Sequence, residues 1–251
     1  MQTLNNKTAI ITGAGQGVGR GIALALASAG ANIVLFGRTL SKLEEVAKEI
    51  EQRGGQSICL GGDVLNADDL AQVVALAVNT FGGINILVNN AQVISLGNIL
   101  DFDEQQYQQG MDSGPLATVR LMRACHPYLK GDGVVINLAT PAAFQADTSS
   151  YGPYNAAKEA IRALSRAAAS EWGPDRIRVN CILPMAMSPA MELWQATEPD
   201  AVAAMLSGVP MGKIGDCETD IGAVVLFLCS AAGSYITGHS LPLDGGYTHL
   251  R

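Results

Sequence analysis

The chain has 251 residues, of which 48% are hydrophobic and 16% are charged. This composition supplies a large apolar core and excludes intrinsic disorder, which requires low hydrophobicity and high charge. The formal net charge is −7, from 16 Lys+Arg against 23 Asp+Glu, so a surface that neutralises nucleic-acid phosphates is excluded. An α/β fold can form undivided at this length, and we expect one domain spanning residues 1–251.

The cysteines and the apolar runs indicate the compartment. Five cysteines are widely spaced, which is typical of buried thiols in a reducing compartment and not of a metal or redox site. Residues 1–7 are polar, and the apolar runs fall short of the ~18 residues that a transmembrane helix needs. We therefore expect a cytoplasmic protein with no membrane partner, no nucleic-acid partner and no bound metal.

Short apolar runs alternate with longer helical patterns along the whole chain. Strands are predicted at residues 7–12, 32–36, 56–60, 84–88, 134–138, 177–183 and 239–243. Helices are predicted at residues 18–29, 41–53, 67–81, 103–111, 115–129, 153–172 and 218–231. Ser41, with Glu44 three residues later, is predicted to cap the second helix. Strands that are apolar throughout are typical of parallel sheets, so we predict a single-domain Rossmann fold: a doubly wound, seven-stranded parallel sheet with helices on both faces.

A glycine-rich turn lies between the first predicted strand and the first predicted helix. Glycines let the backbone turn sharply there and approach a pyrophosphate, whose charge is favoured at a helix N-terminus. The placement predicts a dinucleotide-binding site. Its expected contacts are Gly13, Gln16, Gly17, Val18 and Gly19.

The end of the second strand predicts which dinucleotide binds. In NAD-binding sheets an acidic residue about 20 positions after the glycines holds the ribose 2′-hydroxyl. Gly37 stands there, and Arg38 follows it. A guanidinium without a competing carboxylate favours a 2′-phosphate, so NADP(H) is the predicted cofactor and NAD(H) the alternative.

Tyr154 and Lys158 form the candidate catalytic pair. They are four residues apart on a predicted helix, so both side chains project from one face. A nearby ammonium group and a cationic nicotinamide favour the phenolate, which brings the pKa of the tyrosine towards the working pH. The pair can then donate a proton to a carbonyl being reduced, or remove one from an alcohol being oxidised.

Five motifs follow the order and spacing of the classical short-chain dehydrogenase/reductase (SDR) family, which the chain resembles nearly from end to end. They are the glycine motif, Asp63-Val64, Asn89-Asn90-Ala91, Tyr154 with Lys158, and Asp244-Gly245-Gly246. The resemblance implies hydride transfer from NAD(P)H, with Tyr154 as acid/base and Lys158 holding the nicotinamide ribose and tuning Tyr154. It also implies cofactor contacts from Asp63, Val64, Asn90, Ala91, Lys158 and Pro184.

The chain departs from this family at several positions, among them Met185, which follows Pro184 where the family usually has Gly, and three more that bear on the cofactor and on catalysis. Gln92 places a bulky amide where the family has Gly. Thr140 corresponds to the catalytic Ser, one residue further than usual from Tyr154. Gly114 aligns with the Asn that organises a proton-relay water, a task for which Ser113 or a second water is the alternative.

The segment 184–215 is a long insertion before the last helix. Long loops inside compact domains are usually functional, so this segment is predicted to be a substrate lid. Five of the eight methionines fall in it, which indicates an apolar, bulky substrate, with a satellite core or a subunit contact as the alternative. The expected substrate-facing residues are Gln92, Met185, Met187, Met191 and Trp194.

These observations predict an NADP(H)-preferring oxidoreductase that interconverts a ketone and a secondary alcohol on a hydrophobic small molecule. Tyr154, Lys158 and Thr140 are its expected catalytic residues, with Thr140 as the partner of the substrate oxygen. One alternative is a 3-oxoacyl thioester reductase; another, favoured by the three departures, is a non-catalytic NADP-binding sensor or structural homologue. The resemblance further implies a homotetramer, with the helices at 115–129 and 153–172 at one interface.

Overall fold

The computed structural model describes residues 3–144 and 150–248, and the sheet that organises them has seven parallel strands. The strands are β1 (Thr8–Thr12), β2 (Asn32–Gly37), β3 (Gln56–Gly61), β4 (Ile86–Asn89), β5 (Val134–Leu138), β6 (Arg178–Pro184) and β7 (Ser240–Leu243). Their order is β3-β2-β1-β4-β5-β6-β7, and every neighbouring pair is parallel. The chain reverses its direction of winding between β1 and β4, where doubly wound sheets open a crevice for ligands.

Helices cover both faces of this sheet, as predicted. They are α1 (Gly17–Ser28), α2 (Leu40–Gln52), α3 (Ala67–Phe81), α4 (Glu104–Met111), α5 (Ala117–Leu129), α6 (Gly152–Trp172), α7 (Pro189–Thr197), α8 (Pro199–Ser207) and α9 (Ala223–Cys229). One apolar core packs α1, α2 and α9 against the sheet, and a second packs α3, α5 and part of α6 against the other face. Burial from both sides explains the consecutive apolar residues of the central strands β1, β4 and β5. No helix of the described ranges is both long and apolar enough to span a bilayer.

A π-helical segment, Asp112–Leu116, joins α4 to α5. The sequence predicts two separate helices here, whereas the structure continues the helical path from one to the other. Pro115 lies inside the segment, and its missing N–H group cannot take part in an α-helical hydrogen bond. Such π-bulges are frequent at functional sites.

The predicted cap of α2 is wrong. The helix begins at Leu40, with Thr39 as its N-cap residue, so Ser41 lies within the first turn. The backbone N–H of Lys42 donates to the carbonyl oxygen of Thr39 at 3.2 Å. The helix therefore starts earlier than the capping pattern indicates.

The segment 184–215, predicted to be a lid, contains α7 and α8, and its two ends are tied together. Ala186 and Gly215 form a parallel bridge outside the main sheet. The N–H of Met187 donates to the carbonyl of Gly215 at 2.8 Å, and the N–H of Gly215 donates to the carbonyl of Met185 at 3.1 Å. The two ends of the segment therefore lie side by side, just beyond the end of β6.

Candidate active site

The glycine motif forms a tight turn between β1 and α1. Gly13 has a φ of +65° and Gly17 a φ of +55°, a region that disfavours side chains. A Cβ atom at Gly19 would collide with the carbonyl oxygen of Gly13, so the first turn of α1 packs directly on the strand end. This close approach leaves room for a ligand in front of the helix N-terminus.

A cleft of about 460 Å³ opens in front of this turn. It contains ten of the residues that the sequence assigns to the cofactor or to the substrate: Gly13, Gln16, Gly17, Val18, Arg38, Asp63, Val64, Asn90, Ala91 and Gln92. Gly19 lies buried below the turn. Other residues of the lining have no role predicted from the sequence. They include Thr39, Lys42, Ser188, Pro189 and Ala190.

A second basic residue joins Arg38 at this cleft. Lys42, in the first turn of α2, donates a hydrogen bond from Nζ to Oε1 of Gln16 at 2.5 Å. The Gln16 side chain is thereby held by Lys42 at the start of α1. Lys42 is not among the residues predicted from the sequence, and its four-residue spacing from Arg38 is the signal that could have identified it.

The strand end after β4 is joined to the strand end after β1 by the Thr12 hydroxyl. The backbone N–H groups of Asn90 and Ala91 both donate to Thr12 Oγ1, at 3.0 and 2.9 Å. The Asn90 side chain donates to the Thr12 carbonyl at 2.8 Å and to the Gly13 carbonyl at 3.2 Å. Asn90 thus fixes the glycine turn from one side of the crevice.

Lys158 and Tyr154 lie near each other on α6, as their spacing predicts. Nζ of Lys158 is 5.4 Å from the centre of the Tyr154 ring. It donates a hydrogen bond to the carbonyl oxygen of Leu138, at the end of β5, at 2.7 Å. Lys158 is only 4% exposed, whereas Tyr154 is partly exposed. The ring of Tyr151 stands edge-on to Tyr154, with centroids 6.0 Å apart.

Burial changes the acid–base properties of both groups. It lowers the pKa of the Lys158 ammonium to about 7 and raises the pKa of the Tyr154 phenol, with Tyr151 adding to the rise. The predicted lowering of the Tyr154 pKa therefore does not hold for the protein groups alone, because desolvation of the phenolate is the largest contribution. The other cause that the prediction invokes, the positive charge of an oxidised nicotinamide, would come from the bound cofactor.

A buried hydrogen-bond network holds β4, β5 and α6 in register below this pair. Asn89 donates to Asn137 at 2.8 Å, and Asn137 donates to the Ser165 hydroxyl at 2.8 Å. Ser165 in turn donates to the Ile161 carbonyl at 2.7 Å, and the Cys181 thiol contacts the Ser165 hydroxyl at 3.1 Å. These side chains are all almost completely buried. The sequence analysis assigns them no role.

Thr140 lies directly after β5, next to a short 3-10 turn at Pro141–Phe144. Its Oγ1 accepts a hydrogen bond from the N–H of Ala142 at 3.3 Å. The side chain of Asn155, on α6, donates to the carbonyl of Ala142 at 3.1 Å. The turn that carries Thr140 is therefore attached to the first turns of α6, which carry Tyr154.

The predicted substrate-facing residues do not all line one site. Gln92 lines the cleft. Met185 is 7% exposed and lines a separate pocket of about 330 Å³ with Met211. Met187 follows it at the bridged base of the segment 184–215. Met191 and Trp194 are half-buried on α7.

A metal centre has no candidate within the described ranges: no group of three or more His, Cys, Asp or Glu side chains there could hold an ion.

Comparisons with known proteins match this chain along nearly its whole length. A family profile described as enoyl-(acyl carrier protein) reductase matches residues 13–248. The 12α-hydroxysteroid dehydrogenase of Clostridium sp. is 41% identical over 255 aligned positions, covering 98% of each chain. The Homo sapiens protein named dehydrogenase/reductase SDR family member 4 is 32% identical, covering 97% of this chain and 88% of the relative. A solved structure of a 7α-hydroxysteroid dehydrogenase with NADH and 7-oxo glycochenodeoxycholic acid has a TM-score of 0.91 at 29% identity, covering 98% of this chain and 95% of that one.

Proposed function

Because the chain belongs to the short-chain dehydrogenase/reductase family and is an alcohol/ketone oxidoreductase, we propose that it prefers NADP(H) and acts on a bulky hydrophobic substrate of hydroxysteroid type. The family uses NAD(P)(H), and the comparison structure with 7-oxo glycochenodeoxycholic acid contains NADH. The choice between the two cofactors and the substrate class are the parts that we propose here.

The NADP(H) preference is supported by the two cations at the cleft. Arg38 and Lys42 both line it, beside the turn that follows β2. A 2′-phosphate carries negative charge that guanidinium and ammonium groups bind well, whereas an unmodified ribose offers only hydroxyl groups. The turn itself fits a dinucleotide, because the glycines let it pack tightly in front of the helix N-terminus: a Cβ atom at Gly13 or Gly19 would collide with the Asn90 amide.

The hydroxysteroid class is supported by apolar side chains beside the helix that carries Tyr154. In the loop after β4, Ile94 is 54% exposed, Ile99 is 75% exposed and Leu100 is 99% exposed. The same loop is attached to the residues just before α6, because the N–H of Gly97 donates to the Ser150 carbonyl at 2.8 Å. Large exposed apolar side chains in a cluster mark binding surfaces. The name of the 41% identical relative points to the same class.

The proposed mechanism assigns one task to each catalytic residue. The nicotinamide cofactor, when bound, supplies or accepts the hydride. Tyr154 donates its phenolic proton to the carbonyl oxygen in reduction and removes the proton from the hydroxyl group in oxidation. Lys158 supplies positive charge beside Tyr154, which favours the phenolate. Since Oγ1 of Thr140 accepts a hydrogen bond from Ala142, its own hydroxyl hydrogen can be donated to the substrate oxygen.

A binding and turnover experiment tests this proposal. Fluorescence titration with NADPH and NADH should show tighter binding of NADPH, and a panel of 3-, 7- and 12-oxo steroids should be reduced with NADPH. Tighter NADH binding would overturn the cofactor assignment. Turnover of small polar ketones in preference to every steroid would overturn the substrate class.

A 3-oxoacyl thioester reductase is the second candidate. The description of the matching family profile names an acyl carrier protein, which supports an acyl thioester substrate, although an enoyl reductase acts on a carbon–carbon double bond and not on a ketone. Against it, Lys213 is the only basic residue of the segment 184–215, and it forms an ion pair with Asp220 at 2.8 Å. A basic surface that could dock an acidic carrier is therefore not provided by this segment. Acetoacetyl thioesters belong in the same substrate panel, because their preferential reduction would reverse the ranking.

A further inference from the structure

The turn that follows Thr140 is attached to a stripe of α6 that neighbours the catalytic pair. The stripe consists of Asn155, Glu159 and Arg162, which are four and three residues apart and therefore project from one side of the helix. Two of these side chains contact the residues that follow Thr140, one near each end of the turn. The helix that carries the proposed acid/base thus also holds the segment of its hydroxyl partner.

Ala142 connects the helix to the Thr140 hydroxyl. The backbone N–H of Ala142 donates a hydrogen bond to Oγ1 of Thr140 at 3.3 Å. The carbonyl oxygen of the same residue accepts a hydrogen bond from Nδ2 of Asn155 at 3.1 Å. Because both polar groups of Ala142 are used in this way, the Asn155 amide is linked to the Thr140 hydroxyl through one intervening residue.

The position of Asn155 is fixed by the start of α6. Its backbone N–H donates to the Tyr151 carbonyl at 2.8 Å, which places the residue in the first turns of the helix. Only the NH₂ group of an amide can donate to a carbonyl oxygen, so the contact with Ala142 also decides which way the amide is turned. Asn155 therefore presents a donor in one defined direction.

The other end of the turn is held by an aromatic contact with the same stripe. The guanidinium carbon of Arg162 lies 4.2 Å from the centre of the Phe144 ring. Arg162 donates to Oε1 of Glu159 at 2.6 Å and to the hydroxyl of Ser240, on β7, at 3.1 Å. Since Arg162 is itself anchored to the helix and to the sheet, Phe144 gives the turn Pro141–Phe144 a fixed end.

This attachment bears on the spacing between Thr140 and Tyr154. The two residues are fourteen positions apart, one more than the family spacing. Spacing along the chain alone therefore does not bring the hydroxyl to its usual place relative to the phenol. A hydrogen bond between helix and turn can do so, because Asn155 is the immediate neighbour of Tyr154.

We propose that Asn155 is a positioning residue that holds the Thr140 hydroxyl in the orientation from which it donates to the substrate oxygen. The inference rests on the proposed function, in which that oxygen is the one protonated by Tyr154. Without the Asn155 amide, the Ala142 carbonyl loses its donor and the Thr140 hydroxyl is less well oriented. A small misplacement of a catalytic group lowers the rate strongly even where the fold is kept.

Asn155→Leu, which keeps a similar volume and removes the donor, tests this role. We expect kcat for ketone reduction to fall about tenfold, with a smaller change in KM. NADPH affinity should stay at the wild-type value, because Asn155 does not line the cofactor cleft. Asn155→Asp, which keeps the shape but places an acceptor against the carbonyl, should lose at least as much. The matched control is Asn79→Leu at an exposed position of α3, which should behave as the wild type.

A double-mutant cycle shows whether Asn155 acts through Thr140. Thr140→Val replaces the hydroxyl by a methyl group and should lower kcat about a hundredfold. In that background Asn155→Leu should cause no further loss, since no hydroxyl remains to be oriented. A further tenfold loss in the double variant would show that Asn155 acts on Tyr154 or on the fold, and would overturn the inference.

A measurement of side-chain order tests the same contact without turnover. In protein labelled with ¹³C at the threonine methyl groups, the order parameter of the Thr140 methyl should fall in Asn155→Leu relative to the wild type. The methyl of Thr118, buried on α5, should be unaffected. An unchanged Thr140 methyl would overturn the inference, because the hydroxyl orientation would then not depend on Asn155.

The outcomes separate this inference from the proposed function. If the wild type reduces no ketone of the panel, the proposed function fails and the catalytic part of the inference falls with it, while the Thr140 methyl still decides the contact. If the wild type is active and Asn155→Leu equals it in kcat, the inference alone is overturned.

Discussion

The buried ammonium of Lys158 donates its hydrogen bond to the backbone carbonyl of Leu138 at 2.7 Å. This contact joins α6 to the end of β5. It holds the Lys158 ammonium in place at the face of the Tyr154 ring. Since the acceptor is a backbone oxygen and not a carboxylate, the contact orients the ammonium without neutralising its charge. The desolvation of that charge lowers its pKa to about 7.

The lowered pKa of Lys158 predicts a pH-dependent contribution to stability. Between about pH 7 and the unfolded value of 10.5, the unfolded chain binds a proton that the folded chain does not, so stability should rise with pH. Relative to Lys158→Met, the wild type should gain at most about 2 to 3 kcal/mol of unfolding free energy from pH 7 to pH 9. Urea denaturation of both proteins at several pH values measures this difference. A constant difference across the range would contradict the prediction.

Removal of the Tyr154 hydroxyl should abolish the reaction without affecting the cofactor. We expect Tyr154→Phe to lower kcat about a hundredfold to ten-thousandfold, since general acid catalysis is lost while the ring is retained. NADPH titration should give the wild-type affinity. Tyr151→Phe, at the neighbouring ring, is the control. Wild-type turnover by Tyr154→Phe would favour another acid, whereas cofactor binding without turnover by the wild type itself would favour the non-catalytic alternative.

Arg38 and Lys42 should discriminate between the two cofactors. We expect Arg38→Ala and Lys42→Ala each to weaken NADPH binding about tenfold and to leave NADH binding nearly unchanged, because only NADPH has the 2′-phosphate. Lys48→Ala lies on the same helix as Lys42 but outside the cleft and serves as control. Equal losses of affinity for NADPH and NADH would show that neither cation binds the 2′-phosphate.

The Asn137 network should be important for stability. Asn137→Leu keeps a similar volume but leaves the buried Asn89 amide without its acceptor and removes one donor to the Ser165 hydroxyl, so the unfolding free energy should fall by about 3 kcal/mol. Asn79→Leu, at an exposed position of α3, should change it by about 0.5 kcal/mol or less. Chemical denaturation compares the two variants. Equal stability of Asn137→Leu and wild type would show that the network is energetically neutral.

Ile99 should contribute to substrate binding rather than to chemistry. Ile99→Ser exposes less apolar surface to a bound steroid, so KM should rise about tenfold while kcat stays near the wild-type value. Tyr235→Ser, at a fully exposed position remote in sequence, is the control. A fall in kcat at constant KM would show that the loop acts on the reaction and not on binding.

Much of the architecture could be predicted because the residues of a strand by themselves indicate that it is buried. The runs at β1 and β5 contain three consecutive apolar residues each, Ala9–Ile11 and Val134–Ile136, which indicates two covered faces and hence a parallel sheet between helices. The placement of the glycine turn and of the pair Tyr154 and Lys158 follows from local spacing in the same way. The family and the fold are confirmed; the roles of individual residues and the homotetramer remain predictions.

The remaining features depend on contacts between distant segments. Lys42 lies in the first turn of α2, and its hydrogen bond to Gln16 at the start of α1 joins two segments 26 residues apart. The contact of Gln92 with Gly114 joins a loop to a helix 22 positions later in the sequence. The sequence alone does not reveal that a side chain at 114 would collide with the Gln92 amide.

The bridge between Ala186 and Gly215 makes the segment between them modular. Because its ends meet just beyond β6, the chain between them can change in length without moving the strands themselves. Ser188, Pro189 and Ala190 at its start line the cofactor cleft, so the part beyond Ala190 is where variation leaves that lining unchanged. For engineering, the same bridge marks where the α7–α8 unit of another dehydrogenase could be grafted.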